Sequence, residues 1–551
     1  MKFKYIPACL LLLSQFIPAQ NIDSLFSVFV NSRTAGAESA HEQFEDPGSI
    51  KCGFGIAAQI RLNYDNFTEE QKAVLGKILI RTSTDKYIDS PGGHFRIHYD
   101  TAGSNAPDFD MNNVTDTDLL WLAECADSVY QFEVGTLGYP APPSDGIEGG
   151  DSRYDIYIQN ITDYGYTQPD VSLGNGKYTS YMVIDNNFSH TATKGKSGAR
   201  VTVAHEFHHG IQMGNYILRE SDRFYYEITS TAMEEFMYDG INDYYNYMAN
   251  YFNAPDMKSL SRFSSNSDGY DLAVWNIFLA KRFGYDVIKK SWELMSAHRA
   301  MEAIGLAIQD AGSSFKAELL RFGNWTYFTN SRTIDGEYFK DAKNYPLLRV
   351  SEKIDGLSGR SLSTLAASNT FLEYHFNNAG FTDTLVAIIS NSDIEGSIPT
   401  SASRISAEFN ISNGSMDNGH KISDQLDIFA SVTSGNSSIF SESYIYNNIP
   451  VEYFARENVG FPYPQPFKYS GGTSLFLPAD PGNTRQGELY VYNINMNLAY
   501  FGPVEISNSG HVGVTWDCIN NKGGRLASGV YIYVVKSGDK ITKGKFAVLN
   551  D

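Results

Sequence analysis

The alternation of apolar and polar positions divides the chain into stretches of different character. In residues 21–92 one segment has helical spacing, Glu69 to Arg81 (EEQKAVLGKILIR). From residue 94 the period changes. His94 to Tyr99 alternates as a strand does, and Thr115 to Phe132 reads as an amphipathic helix with apolar positions Leu119, Leu120, Leu122, Ala123, Ala126, Val129 and Tyr130. Tyr154–Ile158 and Tyr181–Asp185 read as further strands. Three helices are then predicted, roughly Ala199–Met213, Arg223–Tyr238 and Asp271–Phe283. Strands followed by helices predict an α+β unit. Beyond about residue 350 the helical period disappears. Short alternating runs such as Phe371–Phe376 and Thr384–Ile389 stand between Asn/Gly/Ser turns, the pattern of a β-sandwich. The Pro-rich stretch Phe461-Pro-Tyr-Pro-Gln-Pro-Phe opens a last β-patterned module.

At 551 residues the chain is too long for a single hydrophobic core, so several domains are expected. Lys2 and Lys4 ahead of the apolar run Ile6–Ile17 read as a secretory signal over residues 1–20, which predicts a secreted or cell-surface protein. No other apolar run is long enough to span a bilayer. A formal net charge of −20 argues against a nucleic-acid partner, because phosphates would be repelled. After signal removal three cysteines remain, Cys52, Cys125 and Cys518, and no CxxC is present. The lack of CxxC excludes a thiolate metal site or a thioredoxin-type motif, while Cys52 and Cys125 could pair in an oxidising compartment.

The chemistry concentrates in residues 201–216, VTVAHEFHHGIQMGNY. His205 and His209 are four apart, so on a helix they project from one face and can share a Zn²⁺ ion. Glu206, beside the first histidine, can take a proton from a metal-activated water and pass it to a leaving amine. Val203, Phe207 and Ile211 would bury the opposite face, and His208 points elsewhere, to solvent or to a supporting role. A catalytic zinc needs a third protein ligand and one open position. A third histidine in the metzincin register is missing, since Gln212 and Asn215 stand there. The third ligand is then a carboxylate on the next helix: Glu227, with Glu234 as the alternative and Glu235 rotated away. Glu234 and Glu235 otherwise read as a solvated helix end. Tyr270, ahead of the helix DLAVWNIFLAKRFG, is a candidate oxyanion donor, in competition with the Tyr244–Tyr245 pair.

Three ordered motifs resemble a group of exported bacterial metallopeptidases of the gluzincin (thermolysin-like, HExxH) type. They are Gly149-Gly-Asp-Ser-Arg-Tyr-Asp-Ile-Tyr, Ile184-Asp-Asn-Asn-Phe and Ala204-His-Glu-Phe-His-His-Gly-Ile-Gln. The resemblance covers about residues 50–345 and implies a zincin-like core with zinc at His205, His209 and Glu227. One departure is Glu227-Ile-Thr-Ser, where that group usually carries E-G-T-A. Residues 456–551 resemble the Ig-like C-terminal sorting domain of the type IX secretion system, through Tyr463-Pro-Gln-Pro-Phe, Leu489-Tyr-Val-Tyr-Asn-Ile, Trp516-Asp and Leu526-Ala-Ser-Gly-Val-Tyr-Ile-Tyr. That resemblance implies the type IX machinery as a partner. Residues 108–116 (DFDMNNVTD) are only faintly like a calcium loop: Asn113 replaces the glycine and Leu119 falls where a glutamate is needed, so an Asp/Asn-rich turn is expected.

The resulting expectation is a secreted zinc endopeptidase acting on a protein or peptide substrate. It would comprise a signal peptide (1–20), an N-terminal segment or pro-region (21–92), a zinc peptidase domain (93–348), a β-sandwich (349–455) and the sorting domain (456–551). The rival is a non-catalytic surface adhesin or polymer-binding protein with a structural or relic zinc site.

Overall fold

The computed structural model describes residues 22–34, 51–261, 269–355, most of 360–392, four strands between 405 and 452, and most of 462–550. The signal segment lies outside them. The chain divides into two units, residues 1–251 with 260–314, and residues 252–259 with 315–551. Both helices and sheets are present, as an α+β fold requires.

The first unit is built on a five-stranded sheet in the order β1-β2-β3-β5-β4. Its strands are β1 (Lys86–Asp89), β2 (Phe95–Tyr99), β3 (Tyr154–Gln159), β4 (Gly165–Gly174) and β5 (Lys177–Asp185). β2, β3 and β5 run parallel. β1 and β4 are antiparallel edges. Phe95, Ile97, Ile156, Ile158, Met182 and Ile184 are fully buried. Each such side chain contributes about 1.5–3 kcal/mol relative to exposure. β4 was not legible in the sequence because GYTQPDVSLG carries glycines and a proline, which an edge strand tolerates.

Helix α4 (Leu120–Tyr130) starts later than the pattern suggested, and α5 (Gly195–Ile211), α6 (Arg223–Met237) and α8 (Ala273–Phe283) lie where three helices were expected. Between them sits α7 (Tyr245–Phe252), and α9 (Asp286–Met295) and α10 (Ala300–Asp310) complete the unit. Among the described residues the N-terminal region holds three α-helices rather than one: α1 (Ile22–Thr34), α2 (Phe54–Leu62) and α3 (Glu69–Ile78). α2 escapes a periodicity search because six of its nine residues, Phe54 among them, are buried and little polar face remains. A capping box closes α3, Thr68 accepting from the Gln71 N–H while Gln71 accepts from the Thr68 N–H. Leu25, Phe29, Ile60, Phe67 and Leu75 form an apolar cluster of their own between these helices.

Residues 108–116 form the expected turn. Asp108 accepts from the N–H groups of Asn112 and Asn113, and Asp116 from that of Phe109.

The second unit opens with α11 (Phe315–Tyr327) and continues as strands. Its first sheets join β6 (Glu352–Asp355), β8 (Ser368–Asn378), β9 (Phe381–Asn391), β12 (Ile439–Tyr446) and β13 (Pro450–Glu452), and separately β7 (Arg360–Thr364), β10 (Ile405–Ile411) and β11 (Leu426–Val432). Near the C-terminus, β14 (Phe467–Lys468), β16 (Gln486–Asn493), β17 (Leu498–Glu505), β19 (Gly529–Ser537) and β20 (Lys540–Leu549) form one sheet. β15 (Leu475–Pro478) pairs with β18 (Gly513–Trp516) in a second. The two share a core: Leu475, Leu477, Val514 and Trp516 from the small sheet meet Leu489, Val491, Tyr533, Val535, Phe546 and Val548 from the large one. No helix among the described residues is long and apolar enough to cross a membrane.

Candidate metal centre

Helix α5 is buried along almost its whole length. Its Phe207 packs edge-on against Phe95 and Tyr154 of the sheet, which turns His205 and His209 away from the strands. Helix α6 crosses beside it and delivers Glu227. It is pinned from behind, where Thr229 accepts hydrogen bonds from Asn276 Nδ2 and Trp292 Nε1, both at 3.1 Å.

His205 Nε2 lies 3.1 Å from His209 Nε2 and 3.1 Å from Glu227 Oε2, and His209 Nε2 lies 3.4 Å from the same oxygen. The outer nitrogens fix the tautomers. His205 Nδ1 donates to Glu234 Oε1 at 2.7 Å, and His209 Nδ1 donates to Gln212 Oε1 at 2.8 Å. Both Nε2 atoms therefore carry lone pairs that face each other and a carboxylate. Three electron-rich atoms so placed repel unless a cation or proton stands among them. Nitrogen and oxygen ligands about 2.0–2.1 Å from a tetrahedral zinc stand about 3.3–3.4 Å apart, close to the spacing found here. Glu227 Oε1 is fully buried and has no hydrogen-bond partner. The donor set fits a zinc ion.

Without a metal the centre is strongly polarised. Burial would push the Glu227 carboxyl up, but His209 and His205 outweigh it and hold it down at about 2. Burial would likewise depress His205, yet Glu227 and Glu234 raise it to about 9. Glu206 is buried next to the ligands, with Thr167 Oγ1 2.8 Å from its Oε2. Gly165 lies against it: a Cβ there would stand 3.2 Å from Glu206 Cγ and 2.6 Å from Thr202 Cγ2. Tyr270 is 6.2 Å from His205 between ring centroids.

A fourth donor belongs to the group. Cys52 Sγ, His205, His209 and Glu227 offer ligand atoms that all lie within 4.8 Å of one another. The absence of a CxxC pair spoke against a thiolate site, but the tertiary structure brings a single cysteine in from the N-terminal region. Cys52, Cys125 and Cys518 are all free thiols, so the bridge considered between Cys52 and Cys125 is not formed. Cys125 Sγ instead lies 3.0 Å from the Tyr238 hydroxyl.

Two further expectations change. Glu234 is no solvated helix end: it is buried between His205 and the Lys51 ammonium, 2.6 Å away. Lys51 also pairs with Asp243. Burial alone would depress the Lys51 ammonium, and the two carboxylates reverse that and raise it. Glu235 is buried too. His208 turns away from the ligands, as expected, but is buried rather than solvated, with Nδ1 2.8 Å from Glu133 Oε2. Burial lowers His208 and raises Glu133, each away from its charged form. Glu234, Gln212 and Lys51 as supports, and Cys52 as a donor, were missed. The only sequence signal was that Lys51-Cys-Gly immediately precedes a buried helix.

No protein-family model matches the chain, and no curated protein matches it. Among solved structures, one similar chain is PorZ, an essential bacterial surface component of the type-IX secretion system of human oral-microbiomic Porphyromonas gingivalis. It is 11% identical with a TM-score of 0.13 over 34% of this chain and 39% of that one. Another is dimeric latent PorU from Porphyromonas gingivalis, 15% identical with a TM-score of 0.14 over 34% of this chain and 20% of that one. The chain thus matches well under half the length of either.

Proposed function

We propose that the protein is a secreted zinc-dependent endopeptidase of the HExxH class with a zincin-like core. The observation that carries this reading is the convergence of His205 Nε2, His209 Nε2 and Glu227 Oε2 within 3.4 Å of one another, with the Glu206 carboxylate beside them. Zinc bound there would supply Lewis acidity and make a water acidic enough to ionise near neutral pH. Glu206 takes the proton and later returns it to the leaving amine. Thr167 holds the Glu206 carboxylate in one orientation. Tyr270 donates to the oxyanion as the carbonyl becomes tetrahedral. The edge strand β4 runs past Glu206 and suits an extended peptide, which would add to it as a further strand.

The C-terminal module, with a core of its own and the sequence pattern of a type IX sorting domain, supports export across an outer membrane with that machinery as partner. A net charge of −20 disfavours nucleic acid.

The fourth donor Cys52 favours a second reading, a closed structural site in a non-catalytic surface protein. One experiment separates the two. The Cys52→Ser chain, loaded with zinc, should bind about one equivalent and cleave unfolded casein. Adding Glu206→Gln should abolish cleavage and leave the zinc in place. Stoichiometric zinc without cleavage of casein or a peptide library rejects the peptidase.

A further inference from the structure

A hydrolytic zinc site has three protein ligands and one position open to water and substrate. Here the residues around that position are engaged by four consecutive N-terminal ones, Lys51-Cys-Gly-Phe. The Cys52 thiol belongs to the ligand cluster, and burial together with the nearby Glu206 and Glu227 carboxylates pushes it up. The Cys52 N–H donates to the Tyr270 hydroxyl at 3.2 Å. Phe54 stacks on the His209 ring at 4.1 Å. Cys52 pairs with Gly165 at the start of the edge strand β4, the Gly53 N–H donating to the Gly165 carbonyl and the Tyr164 N–H to that of Lys51. Every group given a catalytic task is thus touched by this segment. A structural zinc site would need neither Glu206 nor Tyr270.

The segment is also fastened down. Lys51 is locked to Glu234 and Asp243. Arg33 Nη1 donates to Asp163 at 3.3 Å and its Nη2 to the Gly53 carbonyl at 3.4 Å. Position 53 is crowded: a Cβ there would stand 2.4 Å from Asp163 Oδ2 and 3.0 Å from Arg33 Nη2, so a larger residue must displace that ion pair. Behind the segment, α1, α2 and α3 hold together around Leu25, Phe29, Ile60, Phe67 and Leu75. The coil after α3 is accessible: Ile80 is 68% exposed, and Thr82 and Ser83 are exposed as well.

We infer that Cys52 is the fourth zinc ligand and that residues 22–34 together with 51–79 are a built-in inhibitory cap, which keeps the peptidase latent until the cap is displaced or cut away. This inference rests on the peptidase reading. When the cap leaves, the metal–sulfur bond would break, the sulfur would take a proton from solvent and water would fill the fourth position, while Glu206, Tyr270 and the edge of β4 would be freed together.

The test compares the full-length chain with Cys52→Ser, each loaded with one equivalent of cobalt or zinc. The cobalt form of the unaltered chain should show an intense sulfur-to-cobalt charge-transfer band in the near ultraviolet, absent from Cys52→Ser and retained in Cys125→Ser. The zinc form of Cys52→Ser should cleave casein at least about tenfold faster than the unaltered chain, because only chains with an open latch can bind substrate. No such band from the unaltered chain overturns thiolate ligation. Equal cleavage by both zinc forms overturns the latch and leaves the peptidase standing. The band together with an inactive, zinc-loaded Cys52→Ser overturns the peptidase and the latch alike, leaving Cys52 a permanent structural ligand. Gly53→Val keeps the thiol and all three ligands of the helices but cannot seat the segment. It should show the same gain in cleavage, and if Cys52→Ser fails to fold, no gain in Gly53→Val overturns the latch.

Discussion

The Nδ1–H of His205 points at Glu234 Oε1, 2.7 Å away, so that the other ring nitrogen is left bare toward Glu227. The glutamate seven residues after the ligand is thus the group that orients the imidazole, and it is itself oriented by Lys51. Removing such a support typically weakens metal affinity by about 10–100-fold. Glu234→Ala is expected to lose zinc affinity by that factor in competition with a chromophoric chelator, with the ligands themselves unchanged. Unaltered affinity would show that the orientation of His205 is fixed by packing alone.

The raised His205 fixes the pH behaviour of the metal-free chain. Its value of about 9 in the folded protein exceeds its ordinary 6.5. A group raised in this way stabilises the fold fully below the unfolded value, and that contribution disappears as pH climbs through the folded one. Chelator-treated protein should therefore lose on the order of 3 kcal/mol of stability between about pH 6.5 and 9. Zinc-loaded protein should not follow that slope, because the metal replaces the proton. Zinc uptake near neutral pH should accordingly release a proton and tighten with rising pH. Denaturant titrations of both forms across this range, with proton release followed by an indicator dye, check the expectation. Parallel curves would refute it.

Lys51 neutralises two buried carboxylates at once, Glu234 and Asp243. Burial pushes the Asp243 carboxyl up, and the Lys51 ammonium more than reverses this, holding it below its usual range. Lys51→Met removes the cation and strands both anions in the interior, a change that costs about 3–5 kcal/mol. Urea unfolding should report a loss of that size. The triple variant with Glu234→Gln and Asp243→Asn should recover part of it, since no uncompensated charge then remains.

Trp516 is buried in the core that joins the two C-terminal sheets. Trp516→Ala is expected to destabilise that module by about 3–5 kcal/mol. Under the export reading, cells producing this variant, or a chain ending before residue 462, should retain the protein behind the outer membrane. Immunoblots of culture fluid and cell fractions distinguish retention from release, and undiminished release of the truncated chain would separate this module from export.

The sequence by itself determined the elements that repeat a local rule. His205 and His209 share a face because four residues make about one helical turn, and Phe207 lies opposite for the same reason. The strands β2, β3 and β5, and the β-pattern after residue 350, follow from alternation of apolar and polar residues. Glu227 was reachable because it sits on the next helix with a carboxylate where a third ligand is wanted. What the tertiary structure decided is every contact set by long-range packing. β4 is a strand because it borrows its hydrogen bonds from β5, despite a composition that discourages strands. Glu234 and Glu235, polar residues on a helix that read as solvated, are buried because α6 packs within the first unit rather than against water. Cys52 stands with the histidines because Gly165, Asp163 and Lys51 hold its segment against the edge of the sheet. Periodicity records which side of an element faces a core. It carries no record of which distant segment closes over it.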